Sequence, residues 1–280
     1  MRFGVHIRMD RGLLRSLDYA RELKCEAAQL FSGNPNGWAR KPLDRHVAAQ
    51  FKAKAAELDI RPIILHTPYL VNLASPDDAV WIKSTEALAD AVWRAPFLGA
   101  SIVVTHIGSH KGSGYDAGVA RIREAVKRAL DAGPDAAVAL ELGSGAGNSI
   151  GSSFEHIADI LAGLRSANDR VCVCIDTAHL WGAGYDISTA NGVGRLFEEL
   201  DHHVGLSRLR LVHLNDTQVE LGSHRDRHYH VGKGCIGIEG FRAIVNAPGT
   251  QNLPGIIETP GHDIAHDAEN LATLRRLRQG

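Results

Sequence analysis

The stretch CVCIDTAHLWGAGYD, residues 172–186, runs apolar from Cys172 to Ile175, ends on a carboxylate at Asp176 and places a histidine three positions later at His179. A strand with one wet face alternates apolar and polar residues. This one does not, so it reads as a strand buried on both faces that turns polar only at its end. Seven further short apolar runs share that character: FGVHI (3–7), AAQLF (27–31), PIILH (62–66), SIVVTH (101–106), AVALE (137–141), LRLVHLN (209–215) and GIIE (255–258).

Between these runs lie helical patterns, with Leu13, Leu17 and Ala20, then Ile122, Val126 and Ala129, then Ile157, Leu161 and Leu164 at helical spacing. Eight strand-then-helix units, with strands buried on both faces, are what an α/β fold of the (β/α)8 TIM-barrel type requires. A doubly wound sheet would show a Gly-rich turn after its first strand, and HIRMDRG (6–12) supplies none. No linker or low-complexity segment interrupts the series, so residues 1–280 are expected to form one domain.

In such a barrel, side chains at the C-terminal ends of the strands face the active-site mouth. Strands three to eight end on His66, His106, Glu141, Asp176, His213 and Glu258. The loops add His179, Asp226 and His228. Singly, a histidine at a strand end is more often a hydrogen-bonded structural group than a ligand. Gathered at one mouth, five histidines and four carboxylates are different, because burying several unpaired charges costs several kcal/mol each. Divalent cations remove that penalty. Mixed His and carboxylate donors suit Zn²⁺ or Mn²⁺ better than Ca²⁺ or Mg²⁺. Nine donors are too many for one tetrahedral site and suit two or three.

Composition sets outer bounds. Thirty-one Lys and Arg against 32 Asp and Glu give a formal charge of −1, without the basic excess usual in nucleic-acid binders. Fifteen histidines reinforce the metal reading. The four cysteines, Cys25, Cys172, Cys174 and Cys235, form no CxxC pair; Cys172 and Cys174 read as inert core residues in a reducing, cytoplasmic setting. No run approaches the roughly 20 apolar residues that span a bilayer, so no membrane partner is expected.

These residues carry a resemblance. HTPYLVNLASP (66–76), HIGSH (106–110), CIDTAHLWGAGYD (174–186), HLND (213–216), SHRDRHYHVGKGCIG (223–237) and IIETP (256–260) resemble endonuclease IV, the zinc-dependent apurinic/apyrimidinic endonuclease family. The match runs over nearly the whole chain, and the Asp-Arg-His triplet is its most specific piece. The resemblance implies three zinc ions, with Mn possible at some sites. His66 and His106 would hold one, bridged by Glu141 to a second completed by Asp176, His213 and Glu258; His179, Asp226 and His228 would hold the third. Glu141 and Glu258 take the catalytic positions. The implied reaction is hydrolysis of the phosphodiester 5′ to an abasic site in duplex DNA, leaving a 3′-hydroxyl, with removal of blocked 3′ ends, by a monomer.

DNA contacts are expected from Tyr69 and Leu70, which match a segment entering the duplex at the lesion, from Asn36 and Trp38, and from Arg227 and Lys233 toward phosphates. Four departures bear on recognition. Asn36 stands where many members carry a wedge Arg, RMDRG (8–12) replaces a Ser and paired-Gly turn, LGSG (142–145) follows Glu141 in place of Asn-Thr-Ala-Gly, and Ile107 replaces Pro. The competing reading is a xylose-isomerase-like sugar isomerase or epimerase, which needs only Glu141, Asp176, His213 and Glu258.

Overall fold

The computed structural model describes residues 1–9, 12–133, 135–164, 169–261 and 263–278. Eight parallel strands close on themselves in chain order, the first pairing with both the second and the eighth. They are β1 (Arg2–Ile7), β2 (Ala27–Phe31), β3 (Ile63–His66), β4 (Ala100–His106), β5 (Ala137–Glu141), β6 (Val171–Asp176), β7 (Leu209–His213) and β8 (Pro254–Ile257). Around them run α1 (Leu13–Glu22), α2 (Arg45–Glu57), α3 (Asp78–Arg94), α4 (Tyr115–Asp131), α5 (Phe154–Ala162), the short α6 (Thr177–Ala183), α7 (Ala190–His203), α8 (Gly237–Val245) and α9 (Ile264–Leu277). The expected (β/α)8 barrel is the fold. Among the described residues, no helix is long and apolar enough to cross a membrane.

The period-two alternation of the strands sorts their residues into two cores. Ala27, Ile64, Ile102, Val104, Ala139, Cys172, Cys174, Leu211 and Ile256 pack inside the barrel. Phe3, Val5, Ile7, Leu65, Val103, Leu140, Val173 and Ile175 point outward and pack in the larger core under the helices. Burial pushes the Cys172 and Cys174 thiols up to about 12, so both are inert packing groups at neutral pH.

Following the inward face of each strand upward gives the decisive pattern. The next inward residue after the apolar layer is polar on every strand: His6, Gln29, His66, His106, Glu141, Asp176, His213 and, one residue past β8, Glu258. Strand register sets three neighbouring pairs level, His6 with Gln29, His106 with Glu141, and Asp176 with His213.

Three details refine the expectations from sequence. Leu164 follows α5 instead of belonging to it, because the helix stops at Gly163, yet Leu164 is fully buried. The β7 ladder ends at His213, two residues before the apolar run does. Residues 10–11 of the RMDRG segment lie outside the described residues.

Gly4 sets the closeness of β1 and β2. A Cβ there would sit 1.9 Å from the Ala27 carbonyl oxygen, which is backbone and cannot rotate away. Gly4→Ala is therefore expected to lower unfolding free energy by about 2 kcal/mol or more in urea denaturation, since overpacked positions typically lose about 1–3 kcal/mol. An unchanged midpoint would mean that the strands can separate freely there.

Candidate metal centre

Glu141, 2% exposed at the end of β5, is the hub. Its Oε2 lies 3.1 Å from His66 Nε2 and 3.3 Å from His106 Nε2; its Oε1 lies 3.0 Å from His213 Nδ1 and 3.5 Å from His179 Nδ1. Desolvation alone would raise its pKa. The charges of His213 and His106, with hydrogen bonds from His213 and His66, outweigh burial and hold the carboxyl well below its ordinary range.

Asp176 does two jobs from one side chain. Its Oδ1 accepts the backbone N–H groups of Ala178 (2.7 Å) and His179 (3.1 Å), capping α6 at its N-terminus. Its Oδ2 accepts from Asn215 Nδ2 (2.7 Å) and faces His228 Nε2 (3.5 Å) and His213 Nδ1 (3.8 Å). The cap explains why a strand ends on Asp with His three residues on: the carboxylate that starts the helix also turns the first-turn His179 into the mouth.

The donor atoms fall into overlapping groups: His66, His106 and Glu141; Glu141, Asp176, His213 and Glu258; and Asp176, His179 and His228. Asp226 joins the last, with Oδ2 at 3.2 Å from His179 Nε2 and Oδ1 at 3.3 Å from His228 Nε2. All nine expected donors are therefore in one cluster. Depth separates them, since the side chains of Glu141, Asp176 and His213 are essentially buried, whereas His228 is 19% and Asp226 54% exposed.

The histidines fit cation ligation. His66 Nδ1 donates to the Thr67 carbonyl (2.6 Å), His179 Nδ1 to the Leu142 carbonyl (2.9 Å) and His228 Nδ1 to the Glu258 carbonyl (3.1 Å). Each ring has one nitrogen committed to a neutral acceptor, and its other nitrogen is aimed at the carboxylates. That is how metal-binding imidazoles are oriented. His228 Nε2 is buried with no hydrogen-bond partner, an orphan that a cation would satisfy. Cys174 Sγ also lies within reach of Glu141 and His213, and it packs in the apolar layer directly beneath the site.

Opposing charges set the protonation. Against the downward pull of burial, the carboxylates of Glu258 and Glu141 hold His213 well above the ordinary imidazole range. Burial likewise lowers and Asp176 and Asp226 more than restore His179, which also ends well above that range. Desolvation would raise Asp226; the hydrogen bond from His179 and the charges of His179 and His228 bring it to about 2.

The remaining expected residues spread around the mouth. Asn36 and Tyr69 line a cavity of about 1050 Å³ together with His106, His179, Asp226, His228 and Glu258. The Tyr69 N–H donates to the Pro35 carbonyl (3.0 Å), which ties the loops after β2 and β3 together. Tyr69 is 53% and Leu70 40% exposed, and the Tyr69 ring leans edge-on against Phe31 at 4.9 Å. Trp38 packs against the core. Arg227 is exposed and donates to the Asp226 carbonyl, whereas Lys233 pairs with Glu269 at 2.7 Å.

Sequence reading passed over His6, Gln29, Asn215 and Asp216. His6 and Gln29 stand on the inward face of their runs, the signal that could have found them. Asp216, buried, accepts N–H groups from Thr217, Gly234, Ile236 and Gly237 and so closes the neck of the loop that carries Asp226 and His228.

A parallel barrel with clustered, buried His and carboxylate donors at its mouth defines a metal-dependent enzyme of the xylose isomerase-like TIM barrels, and a family model of that description matches residues 17–279. Probable endonuclease 4 of Chloroflexus aurantiacus is 42% identical over 282 residues, covering 100% of this chain and 99% of that one. Probable endonuclease 4 of Methanoculleus marisnigri is 42% identical over 276 residues, 98% of each chain. The crystal structure of endonuclease IV from Thermus thermophilus matches with a TM-score of 0.87 at 31% identity, covering 99% of this chain and 98% of that one. A D-tagatose 3-epimerase-like protein shares the barrel alone, at a TM-score of 0.69 and 20% identity over 99% of this chain and 98% of that one. The chain belongs to the endonuclease IV family.

Because Glu141 is common to two donor groups, Glu141→Gln is expected to lower bound divalent metal by more than one equivalent relative to the unaltered protein, measured by elemental analysis after purification without added metal. Far-ultraviolet circular dichroism should stay unchanged. A loss confined to one equivalent would contradict the shared position.

Proposed function

We propose that the protein is a DNA-repair endonuclease that hydrolyses the phosphodiester 5′ to abasic sites in duplex DNA and trims blocked 3′ ends, using three zinc ions, some replaceable by manganese. The observation that carries this reading is the linkage of the His66–His106–Glu141 group to the Glu141–Asp176–His213–Glu258 group through one carboxylate, with His179, Asp226 and His228 alongside. An isomerase would use Glu141, Asp176, His213 and Glu258 and would leave the other five donors without a task.

In this reading His66, His106 and Glu141 would hold the first zinc, Glu141, Asp176, His213 and Glu258 the second, and His179, Asp226 and His228 the third. Bound there, the cations would supply Lewis acidity, which lowers the ionisation of water from about 15.7 toward about 7 and offsets charge on phosphate and leaving oxygen. The chain's own part is positional. Carbonyls of Thr67, Leu142 and Glu258 lock three imidazoles, and the α6 cap fixes Asp176. Tyr69 and Leu70, exposed at the rim, fill the gap left by a missing base. Asn36, beside Tyr69 in the cavity lining, offers hydrogen bonds where an Arg wedge would offer bulk and charge. Arg227 is placed to meet a phosphate; Lys233 would first have to leave Glu269.

Incubation with a duplex holding one abasic site tests the reading: a single 5′ incision, abolished by prior chelation and restored by zinc. Base–aromatic stacking is worth about 1–3 kcal/mol, so Tyr69→Ala should slow internal incision roughly 10-fold or more. It should affect 3′-phosphate removal at nicks far less, because a frayed end needs less distortion. No incision by zinc-loaded protein would overturn the function. Equal losses on both substrates would remove the wedge role from Tyr69.

A further inference from the structure

Gln29 lies at the mouth level of β2, is fully buried and belongs to none of the nine donors. Its Oε1 is 2.9 Å from His213 Nε2, and its Nε2 is 2.7 Å from Glu258 Oε1. The amide can point only one way. A carboxylate oxygen accepts and cannot donate, so the NH₂ group must face Glu258 and the carbonyl must face His213. That forces His213 Nε2 to carry the proton it donates to Gln29.

His6 completes the arrangement from β1. Its Nδ1 is 2.6 Å from the same Glu258 Oε1 and 3.0 Å from Gln29 Nε2. The carboxylate again decides the roles: Nδ1–H donates to Glu258, and the Gln29 NH₂ donates to that oxygen beside it. Glu258 Oε1 thus accepts two hydrogen bonds and is fully committed. Its other oxygen, Oε2, faces His213 Nδ1 at 3.5 Å. The Glu258 backbone is fixed as well, by its N–H donating to Asn215 Oδ1 at 2.7 Å.

We propose that Gln29, assisted by His6, is the positioning residue of the second cation: through one amide it fixes which nitrogen of His213 and which oxygen of Glu258 are presented to the metal. The inference rests on the metal-dependent reading above. Both ends of the buried Gln29 amide are engaged by His213 and Glu258, so it acts through two donors on neighbouring strands. Removing the amide frees the His213 ring to turn and the Glu258 carboxylate to rotate. The volume at position 29 is a separate matter, because it fills the barrel between Ala27 and the mouth.

The test separates volume from hydrogen bonding. Gln29→Met keeps the side chain's length and removes both hydrogen bonds; His6→Phe removes one of the two bonds to Glu258 and leaves His213 held. Zinc affinity is read by competition with a chromophoric chelator, and the thermal midpoint is read in EDTA. For Gln29→Met, one equivalent of zinc should bind about 10–100-fold more weakly while the others keep their affinity, the span usual when an outer-shell partner of a ligand is lost. The EDTA midpoint should stay within a few degrees. His6→Phe should weaken the same equivalent by a smaller factor. In a Glu258→Gln background, Gln29→Met should have a reduced effect on that equivalent, because one of its two targets is already gone. A zinc titration identical to that of the unaltered protein would overturn the proposal. So would weakening of every equivalent in step with the EDTA midpoint, which would make Gln29 a packing residue; should Gln29→Met not fold, an unaltered titration for His6→Phe does the same. Failure of the unaltered protein to bind zinc would instead sink the metal reading.

Discussion

A carboxylate with almost no solvent access and four imidazole nitrogens within 3.5 Å governs this molecule. Glu141 could not be buried alone, since an unpaired interior charge costs several kcal/mol after relaxation. The strands on either side of it and the loops above supply the compensation, from β3, β4, β7 and α6. The barrel is what makes that convergence possible. Eight strands twist around one axis, and their inward side chains stack in layers, so the top layer is shared by all of them. Here that layer is polar on every strand, over an interior of Ala, Ile, Val, Cys and Leu.

The layer is graded with depth. Asp176, Glu141 and His213 sit on the barrel floor, immobilised by the α6 cap, by Asn215 and by Gln29. Asp226 and His228 come from a long loop after β7 and stand nearer the solvent, with the loop's neck tied by the four N–H groups that Asp216 gathers. Rigid ligands below and a tethered loop above suit a site that must hold cations firmly while admitting a large polymer at its rim. Tyr69 is at that rim, and its backbone bond to Pro35 ties the loops after β2 and β3 together.

Much of this was legible in the sequence, for a physical reason. Strands buried on both faces must be apolar, so a ligand-type residue at the end of such a run stands out, and β3 to β8 announced themselves in that way. His6 and Gln29 broke the same pattern one or two residues before their runs ended, where a polar residue looks like a flaw in an apolar strand instead of a terminus. Only the closed barrel shows that Gln29 faces His213, 184 residues away. Lys233 shows what the sequence hides: it reads as a basic residue in a glycine-rich loop, and the fold brings Glu269 to it from α9. Trp38 is half-buried, with one side against the core, and the spacing of a loop says nothing about which way its side chains turn. The α6 cap was half readable: Asp is a favoured N-cap residue, but the second duty of Asp176 needed the facing strand.

The central proposal is that the nine donors form three cation sites, two of them sharing Glu141, served by nitrogen and oxygen alone. Anomalous diffraction recorded above and below the zinc edge, from crystals of protein purified without added metal, tests it most directly. Three peaks are expected: one among His66, His106 and Glu141, one among Glu141, Asp176, His213 and Glu258, and one among His179, Asp226 and His228. A single peak, or a peak bonded to Cys174 Sγ, would contradict it.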